Sequence, residues 1–327
     1  MPVRKTESRF PLSLQASDLG EAVASADGKC TLVSFVTAPL VVKRENRFVL
    51  FVTDASLAGQ AVSFEWTVAH GADAPSVSTS TAGELAYTPQ ALGDFTIAVR
   101  ILDSGGTERA SLTLKSQIAS PSAELESLIQ GSTNQPWPAI GSADVLRELI
   151  NEHNLYYQNV ALPTPEAGEA FQRLVFSMVY DGAARRKARE RQQHLDELAL
   201  ALNEGTADFA TLCSVGAGVC GLRPLLLAMA VPGMLPWTFL PQDDNQRALA
   251  HDQLLQAIAT LDEAKRIDLF NLVRFPKANI TFCGRVVDTL RTQYFSGTTF
   301  DAVLTGMSGV RAQWLIDQFQ RGPITRT

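Results

Sequence analysis

The sequence is poor in the residues that most often announce a chemistry. It holds 4 cysteines and 4 histidines among 327 residues. Cys30, Cys213, Cys220 and Cys283 fall in no paired or ligand-like spacing. That argues against a disulfide framework and for reduced, buried thiols in a cytosolic protein. His70, His153, His194 and His251 form no HxxxH or HExxH pair, so no two imidazoles share a helix face and no metal is expected. Charge is also sparse, at 19% of residues, and the formal net charge is −6. An acidic chain is a poor match for nucleic acid or an anionic membrane, which favour a basic face, so nucleic acid is not expected as a partner. Long apolar runs are missing: no stretch offers the roughly 20 uninterrupted apolar residues of a spanning helix. The segment Met1 to Leu14 carries charges but neither an apolar core nor a small-residue cleavage site, which is not the form of a Sec signal peptide. A cytoplasmic protein is expected, with incorporation into or export with a particle left open.

What is present is enough to build two cores. Apolar residues make up 46% of the chain, and domains usually hold about 100–200 residues, so two domains are expected. Residues 1–28 are polar and mixed, with Pro11 and no sustained period, and read as an arm that orders against a partner. From Cys30 the pattern becomes that of short strands. Cys30–Val36 and Arg47–Thr53 are β-rich runs, the second ended by Asp54 and the small residues after it. Val62, Phe64, Trp66 and Val68 alternate onto one face. Glu84–Thr88, Phe95–Ile101 and Ala110–Lys115 follow, the last two joined by the hairpin signal Asp103-Ser-Gly-Gly. Short strands at regular spacing predict a β-sandwich over residues 29–118.

Two stretches carry a family resemblance. One is Phe64-Glu-Trp-Thr-Val; the other runs from Tyr87-Thr-Pro through Gly93-Asp-Phe-Thr-Ile-Ala-Val-Arg-Ile-Leu-Asp-Ser-Gly. Together they resemble PKD-like and related Ig-like domains, which have a Trp on an early central strand and later a Gly-x-aromatic turn into a strand of alternating apolar residues. Trp66 matches the core Trp; Gly93, Phe95, Ile97, Val99 and Ile101 match the later strand. The Thr-Val-Ala-His-Gly that follows Trp66 departs from that family's Asp-Phe-Gly-Asp-Gly stretch. The resemblance implies a spacer or adhesive module and says nothing of residues beyond the sandwich.

Residues 119–141 read as a linker with a short helix, and 142–327 as a mainly α-helical domain. Ser120-Pro and Ser142 supply helix-start signals. Pro163 opens a long helical stretch to about Asn203, with Phe171, Leu174, Val175, Met178 and Val179 on one face and Leu195, Leu198 and Leu202 near its end. A short helix is predicted over Ala207–Val215. Asp243 or Asp244 caps another whose apolar side is Leu249, Leu254, Leu255, Ile258 and Leu261. Further helices are predicted over Ala264–Val273 and from near Thr298 and Met307.

Three features invite a functional reading. Gly216-Ala-Gly-Val-Cys-Gly221 has the letters of a dinucleotide loop, but no strand precedes it and Pro224 interrupts the helix that should follow. A glycine turn between packed helices is the better reading, and no cofactor is expected. Leu222–Leu240 is apolar but broken by Pro224, Pro232 and Pro236. It reads as a buried hairpin anchored by Trp237 and Phe239, or else as a hydrophobic loop that inserts into a partner or a membrane. Arg185, Arg186, Lys187, Arg189 and Arg191 form a basic run without interleaved aromatics, either a solvated helix face or a contact for an acidic protein.

Catalytic residues are not identifiable, and a non-enzymatic role is favoured. An Ig-like module in a chain without a Sec address fits a structural or docking protein, such as an accessory component of a phage-tail-like or contractile injection assembly. The alternative is an effector or enzyme with its chemistry in the helical domain and the sandwich as targeting module. A carbohydrate-binding role through Tyr156, Tyr157 and Tyr294 is a third reading.

Overall fold

The computed structural model describes residues 3–11, 14–35, 40–43, 45–61, 63–71, 73–120, 171, 174–175, 188–305 and 310–325. Contacts divide the chain into two compact units. The strands all belong to the first; the helices from Ala188 onward make up the second, except that Phe275–Lys277 groups with the first. The order is therefore β then α.

Nine strands are formed among the described residues: β1 (Ala22–Ala24), β2 (Cys30–Ser34), β3 (Leu40–Val41), β4 (Asn46–Val52), β5 (Ser63–His70), β6 (Ser76–Ser80), β7 (Glu84–Tyr87), β8 (Gly93–Leu102) and β9 (Glu108–Ala119). One sheet has the order β1-β2-β4-β7, the other β3-β9-β8-β5-β6. All pairings are antiparallel except that of β3 with β9. Alternation explains the second sheet. Phe64, Trp66 and Val68 of β5, Phe95, Ile97, Val99 and Ile101 of β8, and Leu112, Leu114 and Ile118 of β9 are buried while their neighbours face outward. The facing side chains of the two sheets share one core: the Phe95 ring lies 5.9 Å from that of Phe48 on β4 and 5.2 Å from that of Tyr87 on β7. This is the arrangement of a β-sandwich.

The centre of the first sheet is covered on both faces. β2 and residues 48–52 of β4 are buried throughout, which is why Phe48-Val-Leu-Phe-Val52 reads as a continuous apolar run. The outer cover comes from the N-terminal segment. Phe10 packs 4.6 Å from Phe51, and the buried Glu7 carboxylate accepts from the Gly83 N–H at 2.9 Å. Helix α1 (Ala16–Leu19) and strand β1 follow in the same stretch. After β4 the chain forms helix α2 (Ala55–Gln60), where the sequence suggested only a strand end; Asp54 caps it by accepting from Leu57 N–H at 2.8 Å. The β8–β9 turn is tied by Asp103, whose carboxylate accepts from Gly105 N–H at 2.8 Å and Thr107 N–H at 2.9 Å.

The second unit contains α3 (Ala188–Glu204), α4 (Phe209–Leu212), α5 (Pro224–Ala230), α6 (Asp244–Ala259), α7 (Glu263–Arg274), α8 (Pro276–Tyr294), α9 (Phe300–Thr305) and α10 (Val310–Arg321). Leu195, Leu198 and Leu202 of α3 are buried, as are the helical residues Phe171, Leu174 and Val175. The helices expected after Ser120 and from Ser142 and Pro163 fall on residues outside the described ones. Asp243 caps α6 by accepting from Gln246 N–H at 2.9 Å. Leu254 and Ile258 bury its apolar side, but Leu249 is 61% exposed, not part of that side. Helix α8 went unread in the sequence. Pro276 occupies its first position, and Ile280, Cys283, Val287 and Leu290 recur at helical spacing and are buried.

Candidate functional site

Pro224 does not interrupt a helix; it begins one. It stands at the first turn of α5, where its missing N–H costs nothing. The glycine motif just before it forms a tight turn closed by an antiparallel bridge between Ala217 and Leu222, with Ala217 N–H donating to Leu222 O at 2.9 Å. Gly218 has φ +69, and a Cβ there would lie 2.2 Å from Val273 O and 2.4 Å from Asn279 Nδ2. The close approach that this glycine permits is thus to the protein's own backbone at the end of α7 and to α8. Asn279 is fully buried and ties the turn, held at two points, to the end of α7. Its Oδ1 accepts from Cys220 N–H at 2.9 Å, and its Nδ2 donates to Val273 O at 3.1 Å and to Ala217 O at 3.3 Å.

The 216–241 segment is divided in its exposure. Residues from Cys220 to Met229 are buried apart from the half-buried Arg223, with α5 at their centre. After α5 ends at Ala230 the chain turns through residues 232–234 and runs without regular structure to Leu240; Pro232, Gly233, Pro236 and Phe239 are exposed, while Met234 and Leu240 are buried. Trp237 is half-buried and Phe239 is 37% exposed, so they do not anchor a fully buried hairpin.

These two rings belong to an aromatic cluster. Phe239 meets Trp237 edge-on at 6.1 Å and Tyr294 at 5.4 Å, and Tyr294 meets Trp314 at 5.9 Å. Such tilted contacts suit ring quadrupoles and add about 0.5–1.5 kcal/mol per pair beyond area burial. Tyr294, at the end of α8, is the hub. It is buried, not the exposed ring that a sugar platform needs, and burial pushes its phenol up. Its hydroxyl donates to Ile324 O at 2.6 Å. Trp314 sits on α10 one turn after Val310, which is 59% exposed. Residues four apart share a helix face, so Val310 extends the apolar surface begun by Phe239, Trp237 and Trp314. The indole N–H groups of Trp237 and Trp314 are shielded from water and find no acceptor among the described residues. Packing among the described rings holds them, and a buried donor left without a partner is costly. Tyr156 and Tyr157 lie outside the described residues.

A second cluster was not singled out in the sequence. Asp268, Asn271 and Arg274 are spaced by three along α7 and therefore share one face, yet they are only 3%, 0% and 4% exposed. The Arg274 guanidinium lies 5.3 Å from the Phe270 ring centre. Buried charge is costly and is kept where it is paired. The available signal was polar residues every third position within the apolar run Ile267–Phe275.

Of the basic run, Arg189 and Arg191 lie in the first turn of α3, and Arg191 is half-buried; Arg185, Arg186 and Lys187 lie outside the described residues. His70 is 3.8 Å from Asp73, His194 is 3.7 Å from Glu197 and His251 is 4.0 Å from Asp252, each a local pair. Among the described residues no group of three or more His, Cys, Asp or Glu side chains could hold a metal ion. The four cysteines are buried and carry free thiols. Burial pushes the Cys213 thiol up, and burial together with the neighbouring Cys283 does the same for Cys220, the opposite of what a nucleophile requires. No described helix is long and apolar enough to cross a membrane.

No known family matches the chain, and no curated protein matches it significantly.

Proposed function

We propose that the chain is a non-enzymatic docking protein, an accessory component of a phage-tail-like or contractile injection assembly, whose sandwich is an Ig-like module of the PKD kind. The strand pairing supports the module. β2, β4 and β7 correspond to the A, B and E strands of one Ig sheet, and β9, β8 and β5 to the G, F and C strands of the other. Trp66, fully buried on β5, stands where Ig domains carry their core Trp on strand C. The observation that carries the docking role is the aromatic surface of Trp237, Phe239, Trp314 and Val310. Rigid rings backed by a buried hub lose little side-chain freedom on contact, and Trp and Tyr dominate the energetic centres of protein interfaces. The test is sedimentation of the full chain from the cell that makes it. The proposal expects it in a high-mass fraction with tube or sheath subunits; a chain found only as a light, monodisperse monomer contradicts it.

The buried stripe Asp268–Asn271–Arg274 favours a second reading, an effector or enzyme with its chemistry in the helical unit. That reading expects a growth defect on expression that Asp268→Asn abolishes while circular dichroism stays unchanged. Equal growth with the unsubstituted chain and with the variant counts against it.

A further inference from the structure

The segment after α10 is held like a bound peptide. Leu240 N–H donates to Pro323 O at 2.6 Å, and Thr325 N–H donates back to Leu240 O at 2.8 Å, which makes a parallel bridge between Leu240 and Ile324. Around this bridge, Tyr294 Oη donates to Ile324 O at 2.6 Å, Ile324 N–H donates to Gln318 Oε1 at 2.7 Å, and Gln242 Nε2 donates to Thr325 O at 3.0 Å. Leu240, Gln242, Tyr294 and Gln318 thus form a cradle that reads the backbone of residues 323–325 on both edges. This is strand addition, with affinity supplied by main-chain hydrogen bonds.

The attachment turns on one residue. Gly322 caps α10, donating to Gln318 O at 2.9 Å, with φ +102. Non-glycine residues avoid that conformation. Pro323 cannot continue the helix, so the chain leaves α10 at this point. Every hydrogen bond to the cradle lies after Gly322. Pro323 and Leu240 are buried where the segment enters, Ile324 is half-buried, and Thr325 and Gln242 are exposed, so the outer end of the seat is open to solvent. A single bridge flanked by Pro241 and Pro323 cannot zip further, which places the segment at the low end of local stability.

We propose that this cradle is a self-recognition site, in which residues Gly322–Thr325 of a second copy of the chain replace the copy's own. The occupant is argued from the cradle itself. Its donors and acceptors already match this segment at five hydrogen bonds. A change at the Gly322 hinge carries the same set from within one chain to between two without new chemistry, which is the condition for a low-cost swap. Because Tyr294 is also the hub of the aromatic cluster, exchange joins two copies beside that surface. The inference rests on the cradle alone and stands whether or not the chain docks on a particle.

The experiment traps the exchange covalently in the full chain. Leu240→Cys is placed in one copy and Ile324→Cys in another; the two are mixed at high concentration and oxidised, and non-reducing gels are read for a disulfide-linked pair. The four native cysteines are buried and are counted by a parallel reaction of the unsubstituted chain. A chain carrying both substitutions serves as control for the pairing. The proposal expects the mixed pair, and expects its yield to rise several-fold when Gly322→Val is added to both copies, because valine resists the hinge conformation. Closure of the doubly substituted chain on itself with no mixed pair overturns the exchange. Failure of that chain to close overturns the cradle itself.

Discussion

Asn279 and Cys220 are joined across 59 positions of sequence by a hydrogen bond of 2.9 Å, from the Cys220 N–H to the Asn279 side-chain oxygen. That bond and the two that Asn279 donates make the asparagine a buried pin between the glycine turn and the start of α8. Replacing it with alanine strands one N–H and two carbonyls in a dry site. Each stranded group costs about 1–3 kcal/mol before relaxation, and the expected net loss for Asn279→Ala is about 2–4 kcal/mol. Asn279→Asp keeps the acceptor but faces two carbonyl oxygens with a carboxylate, so it rescues little. Urea unfolding of the helical unit checks both.

Gly218 and Gly233 share a positive φ, +69 and +80, but differ in what surrounds them. A Cβ at 218 meets a backbone carbonyl at 2.2 Å, while one at 233 meets nothing within 4 Å. Gly233→Ala is expected to cost about 1 kcal/mol, the backbone strain alone. Gly218→Ala adds overpacking against groups that cannot move freely, for a total of about 3 kcal/mol. Equal losses at the two sites contradict the close approach.

Asp27 sits in the turn between β1 and β2. Hydrogen bonds from Ser25 and Lys29 hold its carboxyl down at about 2, below its ordinary value of 3.8. A lowered carboxyl contributes stability that is present above the unfolded pKa and lost as pH falls through the folded one. Asp27→Asn is therefore expected to flatten the stability profile of the sandwich between about pH 4 and 2, lowering stability above that range and leaving it nearly unchanged below about pH 2. Thermal unfolding across that range reads it.

Cys30, Cys213, Cys220 and Cys283 are all buried. Burial is the largest cause that raises the thiols of Cys30, Cys213 and Cys220. Thiolate is the reactive form, so the native chain is expected to resist an aromatic disulfide reagent at pH 8 and to release four equivalents of thiol only in denaturant. One fast equivalent in the native state contradicts the assigned burial.

Legibility in the sequence followed the range of the interactions involved. β5 and β8 could be read residue by residue because one face is buried and alternation survives. β6 could not: Ser76-Val-Ser-Thr-Ser80 is an edge strand, exposed along most of its length, and has no pattern to show. α2 was hidden because Asp54, its cap, serves equally well as a strand terminator. Pro224 misled by its position, since proline breaks a helix interior but suits a first turn. Trp237 and Phe239 could be singled out from a local apolar run. Their partners Tyr294 and Trp314 come from α8 and α10, and only folding brings the rings together. The role of Asn279 depends on two carbonyls and an N–H from elsewhere, which no local pattern encodes.

If the aromatic surface around Tyr294 docks the chain onto a large assembly, its exposed apolar side chains carry the contact. Phe239→Ser with Val310→Ser tests this docking most directly, since these are the exposed apolar side chains of that surface; the loss of the Phe239 ring contacts is controlled by comparing chains at matched unfolding midpoints. The measurement is the fraction of full chain that sediments with high-mass particles, compared with the unsubstituted chain at matched unfolding midpoints. A fall of tenfold or more in the doubly substituted chain is predicted. Undiminished sedimentation, or an unsubstituted chain that never leaves the light fraction, contradicts the account.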